Sequence, residues 1–106
     1  MRKIKVDYWE VKNNEGTEMK ENIISVLSVL LSNKKPEELP KGIENFRIFN
    51  RIATSFDKAE KTNELILEEQ DYLFLKQIVE KDIPAMWALN PNIKKAIDEF
   101  LNVIEE

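Results

Sequence analysis

The chain has 106 residues and a formal net charge of −4, with 34% charged and 42% hydrophobic residues. This composition is typical of a folded domain rather than of a disordered chain, and the length favours one domain spanning residues 1–106. Histidine and cysteine are both absent. Their absence excludes imidazole general bases, thiol nucleophiles and zinc sites built from either residue type.

Cysteine content and hydrophobicity also indicate where the protein resides. Without cysteine there is no disulfide framework, so nothing favours an oxidising compartment. Charges interrupt the apolar residues of the first seven positions, unlike a signal peptide. The longest apolar-rich stretch, residues 23–31, is far shorter than the ~20 residues that a membrane span requires. We therefore expect a cytoplasmic protein with no membrane partner.

The N-terminal half predicts one strand followed by one helix. Residues Ile4–Val11 alternate with the period of a half-buried strand, and a change of phase at Tyr8–Trp9 indicates a bulge or a strand end. Asn13–Gly16 is typical of a turn, which either closes a hairpin or enters a helix directly. Apolar residues recur with helical spacing over Met19–Ser32 and predict a largely buried helix. A charged, proline-bounded loop follows at about residues 33–41.

The C-terminal half predicts three helices and one short strand. The helices are expected over Ile43–Glu60, over Glu69–Asp82 and from Asn90–Pro91 onward, where asparagine and proline form a typical helix start. Glu64–Leu67 is the expected antiparallel partner of the first strand. The fold class is therefore α+β, mostly α, with about four helices and a small two-stranded antiparallel element. The side chains expected to be buried on these three helices are Ile43, Phe46, Phe49, Ile52, Ala53, Phe56 and Ala59, then Tyr72, Leu75, Ile78 and Val79, and finally Ile93, Ala96, Ile97, Phe100, Leu101 and Ile104.

No set of residues in the sequence predicts catalysis. Carboxylates are frequent, but they lack the paired acidic motifs of a magnesium site, and acids such as Glu68, Glu69 and Asp71 are expected at a helix start because the helix dipole favours them there. Serines have no histidine partner. We therefore expect no enzyme activity, no catalytic residue, no cofactor and no metal.

Aromatic residues at irregular positions are the better candidates for function. Tyr8–Trp9 follows the phase change of the first strand, and Met86–Trp87 lies between two prolines. Tryptophan and methionine are enriched at protein interfaces. Arg47 and Arg51, four residues apart on one helix face that should see solvent, are expected to add polar contacts. The predicted partner-binding residues are thus Tyr8, Trp9, Arg47, Arg51, Met86 and Trp87.

The order of apolar and acidic segments resembles a group of small proteins encoded by tailed phages and prophages. The resemblance lies in the helix core Val26-Leu27-Ser28-Val29-Leu30-Leu31, the charged loop, a helix like Phe46–Lys58, and the segment Leu65–Lys76. The last helix departs from the pattern of that group. The resemblance implies a phage origin, hence the host cytosol, and it implies no functional residue.

The leading functional hypothesis is a non-enzymatic protein that binds another protein of the host or phage, such as a host defence protein that it inhibits. The first alternative is a self-associating virion or assembly component, because the wide apolar surface of residues 23–31 needs a cover. The second alternative is nucleic-acid binding or mimicry. Arg2, Lys3 and Lys5 beside two aromatic residues favour binding, whereas the acidic net charge makes nucleic acid an improbable partner.

Overall fold

The computed structural model describes residues 1–12, 15–33 and 41–104, and within these ranges the chain forms four α-helices and four short strands. The predicted α+β, mostly α fold class is confirmed. Most of the predicted loop at 33–41 lies outside the described residues. The elements in chain order are β1 (Arg2–Lys5), β2 (Trp9–Lys12), β3 (Glu18–Glu21), α1 (Ile23–Ser32), α2 (Ile43–Thr62), β4 (Glu64–Leu67), α3 (Glu69–Asp82), a 3₁₀ turn (Ala85–Leu89) and α4 (Pro91–Leu101).

The strands form two separate antiparallel pairs. β1 pairs with β4, as the sequence predicted, with Ile4 opposite Leu65 and Arg2 opposite Leu67. Ile4, Leu65 and Leu67 are all buried and face the core, so this pair has one apolar face against the helices. β2 pairs with β3, with Trp9 opposite Glu21. One continuous strand over 4–11 is therefore wrong: β1 ends at Lys5 and β2 begins at Trp9, so of the two predicted explanations for the phase change a strand end is right and a bulge is wrong.

The β2–β3 hairpin also shortens the first helix. The prediction began that helix at Met19, but residues 18–21 are extended and paired with β2. The helix begins at Ile23, because the Asn22 side chain accepts hydrogen bonds from the backbone N–H groups of Ile24 at 2.7 Å and Ser25 at 3.2 Å. This N-cap satisfies donors that a helix start leaves without partners. Part of the connecting turn, residues 13–14, lies outside the described residues.

The buried face of α2 differs from the predicted one. Ile48, Ile52 and Ala59 are buried, whereas Ile43 is 61% exposed and Phe46 65% exposed. Ala53 is exposed as well, so these three predictions of burial are wrong. The reason is geometric. α2 packs mainly on β4 and α3, so the side chains that become buried are those on the facing side of the helix, at positions 48, 52 and 59 with spacings of four and seven.

The remaining helices largely follow the sequence pattern. All four predicted core residues of α3 are buried, and Tyr72 packs on Phe100 of α4 with ring centroids 5.1 Å apart. The Tyr72 hydroxyl donates a 2.7 Å hydrogen bond to the Phe100 carbonyl oxygen. α4 ends at Leu101, so Ile104 lies beyond it and is 73% exposed rather than buried. The tyrosine–phenylalanine contact joins α3 and α4 into one core.

Candidate interaction surface

The six predicted partner-binding residues lie in three separate regions. Tyr8 and Trp9 stand where β2 begins, beside one flank of α4, and line a small cavity of about 90 Å³ with α4 residues. Met86–Trp87 lies in the 3₁₀ turn, against the other flank of α4. Arg47 and Arg51 lie on α2. The structure therefore brings the six residues together only in pairs.

Trp9 is held by the fold, whereas Tyr8 is available to a partner. Trp9 is half-buried and packs against the core, and its indole Nε1 is buried without an acceptor in the described part of the chain. Tyr8 is 45% exposed. A buried donor without an acceptor is uncommon, since such groups are destabilising. The pair thus offers one accessible aromatic ring, that of Tyr8.

The Arg51 side chain is still 37% exposed, but its guanidinium contacts a buried acid, so it is less available to a partner than the sequence predicted. Its Nη2 lies 2.8 Å from Oδ1 of Asp71 and its Nε lies 3.1 Å from Oδ2, a two-point contact with a carboxylate whose side chain is only 2% exposed. The hydrogen bond to Asp71 raises the pKa of Arg51 above its ordinary value. Arg47, by contrast, is 62% exposed and pairs with Glu44 at 3.3 Å.

In the basic and aromatic segment at the N-terminus, the Arg2 side chain makes contacts within the fold. The Arg2 guanidinium donates to both carboxylate oxygens of Glu69, at 2.9 and 2.7 Å, and to the Val103 carbonyl oxygen at 2.6 Å. It also lies 4.5 Å from the centroid of the Tyr72 ring. The hydrogen bond from Arg2 lowers the pKa of Glu69. Arg2 therefore connects β1, α3 and the segment after α4, and with its side chain only 19% exposed it is poorly placed to stack on a base.

The 3₁₀ turn presents the most exposed large apolar side chains of the described residues. Leu89 is 81% exposed and Met86 is 77% exposed. Pro84 prevents α3 from continuing, and the turn is held by backbone hydrogen bonds from Trp87 to Pro84 and from Asn90 to Trp87, each 3.0 Å. The Asn90 side chain then caps α4. Both exposed side chains are thus displayed on a fixed backbone.

An apolar groove adjoins this turn. It encloses about 260 Å³ between the turn and α4, and its lining is mostly apolar. Trp87 is half-buried in its wall, and Lys94 and Asp98, four residues apart on α4, add one charge of each sign. We call Met86, Leu89 and this groove the α4 surface; the groove is lined by Ile83, Pro84, Ala85, Trp87, Ala88, Ile93, Lys94, Ile97 and Asp98. The sequence pattern predicted Met86 and Trp87 as contacts but not Leu89, although Leu89 ends the same apolar run.

Within residues 1–12, 15–33 and 41–104, no group of three or more acidic side chains is arranged to hold a metal ion. No helix in those ranges is long and apolar enough to cross a bilayer. Compared with protein-family models, curated proteins and solved structures, the chain matches none.

Proposed function

We propose that this protein is a non-enzymatic interaction protein that binds another protein through the α4 surface. The observation that carries the proposal is the pair Met86 and Leu89, 77% and 81% exposed on a turn whose other side chains, among them Trp87, line an apolar groove. Single exposed apolar residues are ordinary on any protein. Two of them on one short turn, next to a groove walled by a tryptophan, have the anatomy of an interface centre.

The rigidity of the turn supports the same function. Backbone hydrogen bonds and the prolines at 84 and 91 fix the turn before any partner arrives. Ordering a side chain or loop on binding costs roughly 0.5–1.5 kcal/mol for each immobilised side chain. Because the backbone of the turn is already ordered, binding adds no cost for ordering that backbone. Methionine adds a flexible side chain that adapts to the shape of the partner.

The partner fits a simple chemical description. It should place apolar side chains into the groove and around Met86 and Leu89, with one charge of each sign opposite Lys94 and Asp98. The resemblance to phage proteins makes a host defence protein, inhibited by this contact, the first partner to test in the host cytosol.

The first experiment is quantitative affinity capture from host lysate, read by mass spectrometry. The tagged wild-type chain is compared with the double variant Met86→Ala/Leu89→Ala and with Ile104→Ala. Ile104 is a matched control because it is 73% exposed and lies outside the 3₁₀ turn. We expect one partner whose recovery falls at least tenfold with the double variant and stays unchanged with Ile104→Ala. Equal recovery with all three proteins would refute the assigned surface.

The self-association alternative has less support than the α4 surface. It depends on an uncovered apolar face at residues 23–31, yet Ile23, Leu27 and Leu30 are among the most deeply buried residues of α1. Val29, at 43% exposed, is the one large apolar side chain of α1 that reaches the surface substantially. The nucleic-acid alternative is also weakened, because Arg2, one of its predicted basic residues, is bound to Glu69 within the fold.

A further inference from the structure

β3 is an exposed strand with one edge that pairs with no other strand of the described residues. Its neighbour is β2, in a two-stranded sheet that is separate from the β1–β4 pair. Glu18, Met19 and Lys20 are all exposed, Met19 at 50%. An isolated two-stranded hairpin is only marginally stable in water, and an open edge can accept a further strand. The side chains along this edge decide which strand fits it.

The two faces of the β2–β3 hairpin differ in chemistry. Its cross-strand pairs are Trp9–Glu21, Glu10–Lys20, Val11–Met19 and Lys12–Glu18. The second and fourth pairs lie on one face, and both join opposite charges. The third pair, on the other face, is apolar, and the first joins tryptophan to glutamate. Charge therefore alternates along each strand of the hairpin on one face only.

A second copy of β3 fits the open edge in one symmetric register. Two antiparallel copies related by a twofold axis place one residue opposite its own counterpart, and the residues on either side of it then lie opposite each other. With Met19 at the axis, Glu18 of each copy lies opposite Lys20 of the other, and Glu21 lies opposite Thr17. Every charged residue of β3 thus faces an opposite charge or a neutral residue.

The adjacent symmetric registers are unfavourable. Because side chains alternate between the two faces, symmetric registers differ by steps of two residues. The next ones place Glu18 or Lys20 at the axis, so that two glutamates or two lysines lie directly opposite each other. Like charges in that position are destabilising. The sequence of β3 is therefore self-complementary in the register centred on Met19.

That register continues the pattern of the hairpin across four strands. Two rows of charge cross the resulting sheet, and the sign alternates at every step. Each row reads Lys12, Glu18, then Lys20 and Glu10 of the second copy. In the apolar row between them, Met19 of one copy meets Met19 of the other. Pairing thus covers two exposed methionines and adds cross-strand ion pairs.

Burial favours β3 over β2 as the contact edge. An axis at Val11 on β2 would also join opposite charges, so charge alone does not decide between the two strands. Trp9 and Val11 are half-buried, and Trp9 packs against the core and lines a cavity with α4. Three of the four residues of β3 are exposed. β2 is therefore the inner strand of the hairpin and β3 the outer one.

We propose that this chain forms a symmetric dimer in which the β3 edges of two copies pair antiparallel across Met19. The contact does not use the helix face at residues 23–31. It is also separate from the α4 surface, since the described lining of the α4 groove contains no residue of β2 or β3. Loss of the proposed partner binding would leave this dimer intact.

The first test exchanges charges within the hairpin at constant net charge. Lys12→Glu/Glu18→Lys places lysine at positions 18 and 20, and Glu10→Lys/Lys20→Glu places glutamate there. Every charged pair within the hairpin keeps opposite signs in both variants. Sedimentation velocity follows association up to about 1 mM protein. We expect the wild type to dimerise, each variant alone to associate at least tenfold more weakly, and their equimolar mixture to recover the wild-type affinity. Recovery in the mixture also shows that both variants are folded.

A single introduced cysteine identifies the edge, because the chain has none of its own. Directly opposite residues of antiparallel strands have Cα atoms about 4.5–5.5 Å apart, within reach of a disulfide. Met19→Cys should give a disulfide-linked dimer under mild oxidation, and Val11→Cys, the matched position on β2, should not. The proposal is overturned if the wild type stays monomeric, if the charge exchanges leave association unchanged, if mixing the two variants fails to restore it, or if Val11→Cys crosslinks as readily as Met19→Cys.

Discussion

At the scale of single residues, two arginines one turn apart on α2 have different roles. Arg51 is bound to a buried carboxylate, whereas Arg47 is largely exposed. The sequence predicted solvent exposure for both, because their spacing on one helix face was the available signal. The difference arises from Asp71, twenty positions later, which α3 brings under Arg51. Local periodicity contains no information about such a contact.

This difference predicts unequal stability effects. Arg51→Ala leaves the buried Asp71 carboxylate without the hydrogen bonds that Arg51 donates, so we expect a clear fall in the free energy of unfolding. Arg47→Ala removes an exposed pair and should change it by less than about 0.5 kcal/mol. Urea denaturation of both variants measures these changes. Equal losses for the two substitutions would show that the Asp71 contact is not a stabilising one.

The contact between Arg2 and Glu69 predicts a pH dependence. The hydrogen bond from Arg2 lowers the pKa of Glu69 in the folded state below its ordinary value of 4.5. The unfolded chain therefore takes up the proton first as the pH falls. Its contribution to stability is present above the ordinary value and is lost as the pH falls through the lowered pKa.

Glu69→Gln removes this titrating group. The variant should be less stable than wild type near neutral pH, and the difference should shrink as the pH falls below the ordinary value of 4.5. Denaturation midpoints measured across this range are the check, with Glu10→Gln on the exposed face of β2 as a control. A difference that stays constant with pH would contradict the role assigned to Arg2.

At the scale of elements, residues with a local physical role were predictable and pairings were not. Asn90–Pro91 starts α4 as predicted, and the Asn90 side chain accepts hydrogen bonds from the N–H groups of Asn92 and Ile93. β3 was missed because Glu18–Glu21 has only one apolar residue, and its extended form depends on pairing with β2. The buried face of α2 was misjudged because its apolar residues lie on two sides.

The two asparagine N-caps, Asn22 and Asn90, predict a graded effect. Asn22 is buried and caps α1 through Ile24 and Ser25, whereas Asn90 is half-buried. Asn22→Ala should reduce the free energy of unfolding by about 2 kcal/mol and Asn90→Ala by about 1 kcal/mol. Chemical denaturation again measures both. A smaller loss for Asn22→Ala than for Asn90→Ala would contradict the account of where α1 begins.

At the scale of the whole molecule, burial divides the candidate residues into structural and available ones. Trp9 and Arg51 contact the core or a buried acid, while Met86 and Arg47 are exposed. The sequence identified Met86 because it lies between prolines, a local signal. It could not identify the groove beside it, since that groove forms only where the turn docks on α4.

The most direct measurement of the central claim is site-specific photo-crosslinking in cells of the proposed host. A photoreactive phenylalanine analogue replaces Met86 in one protein and Ile104 in another, two positions of nearly equal exposure at 77% and 73%. The account predicts a single crosslinked protein from position 86 and none from position 104. Crosslinks of the same kind from both positions, or from neither, would contradict binding through the α4 surface.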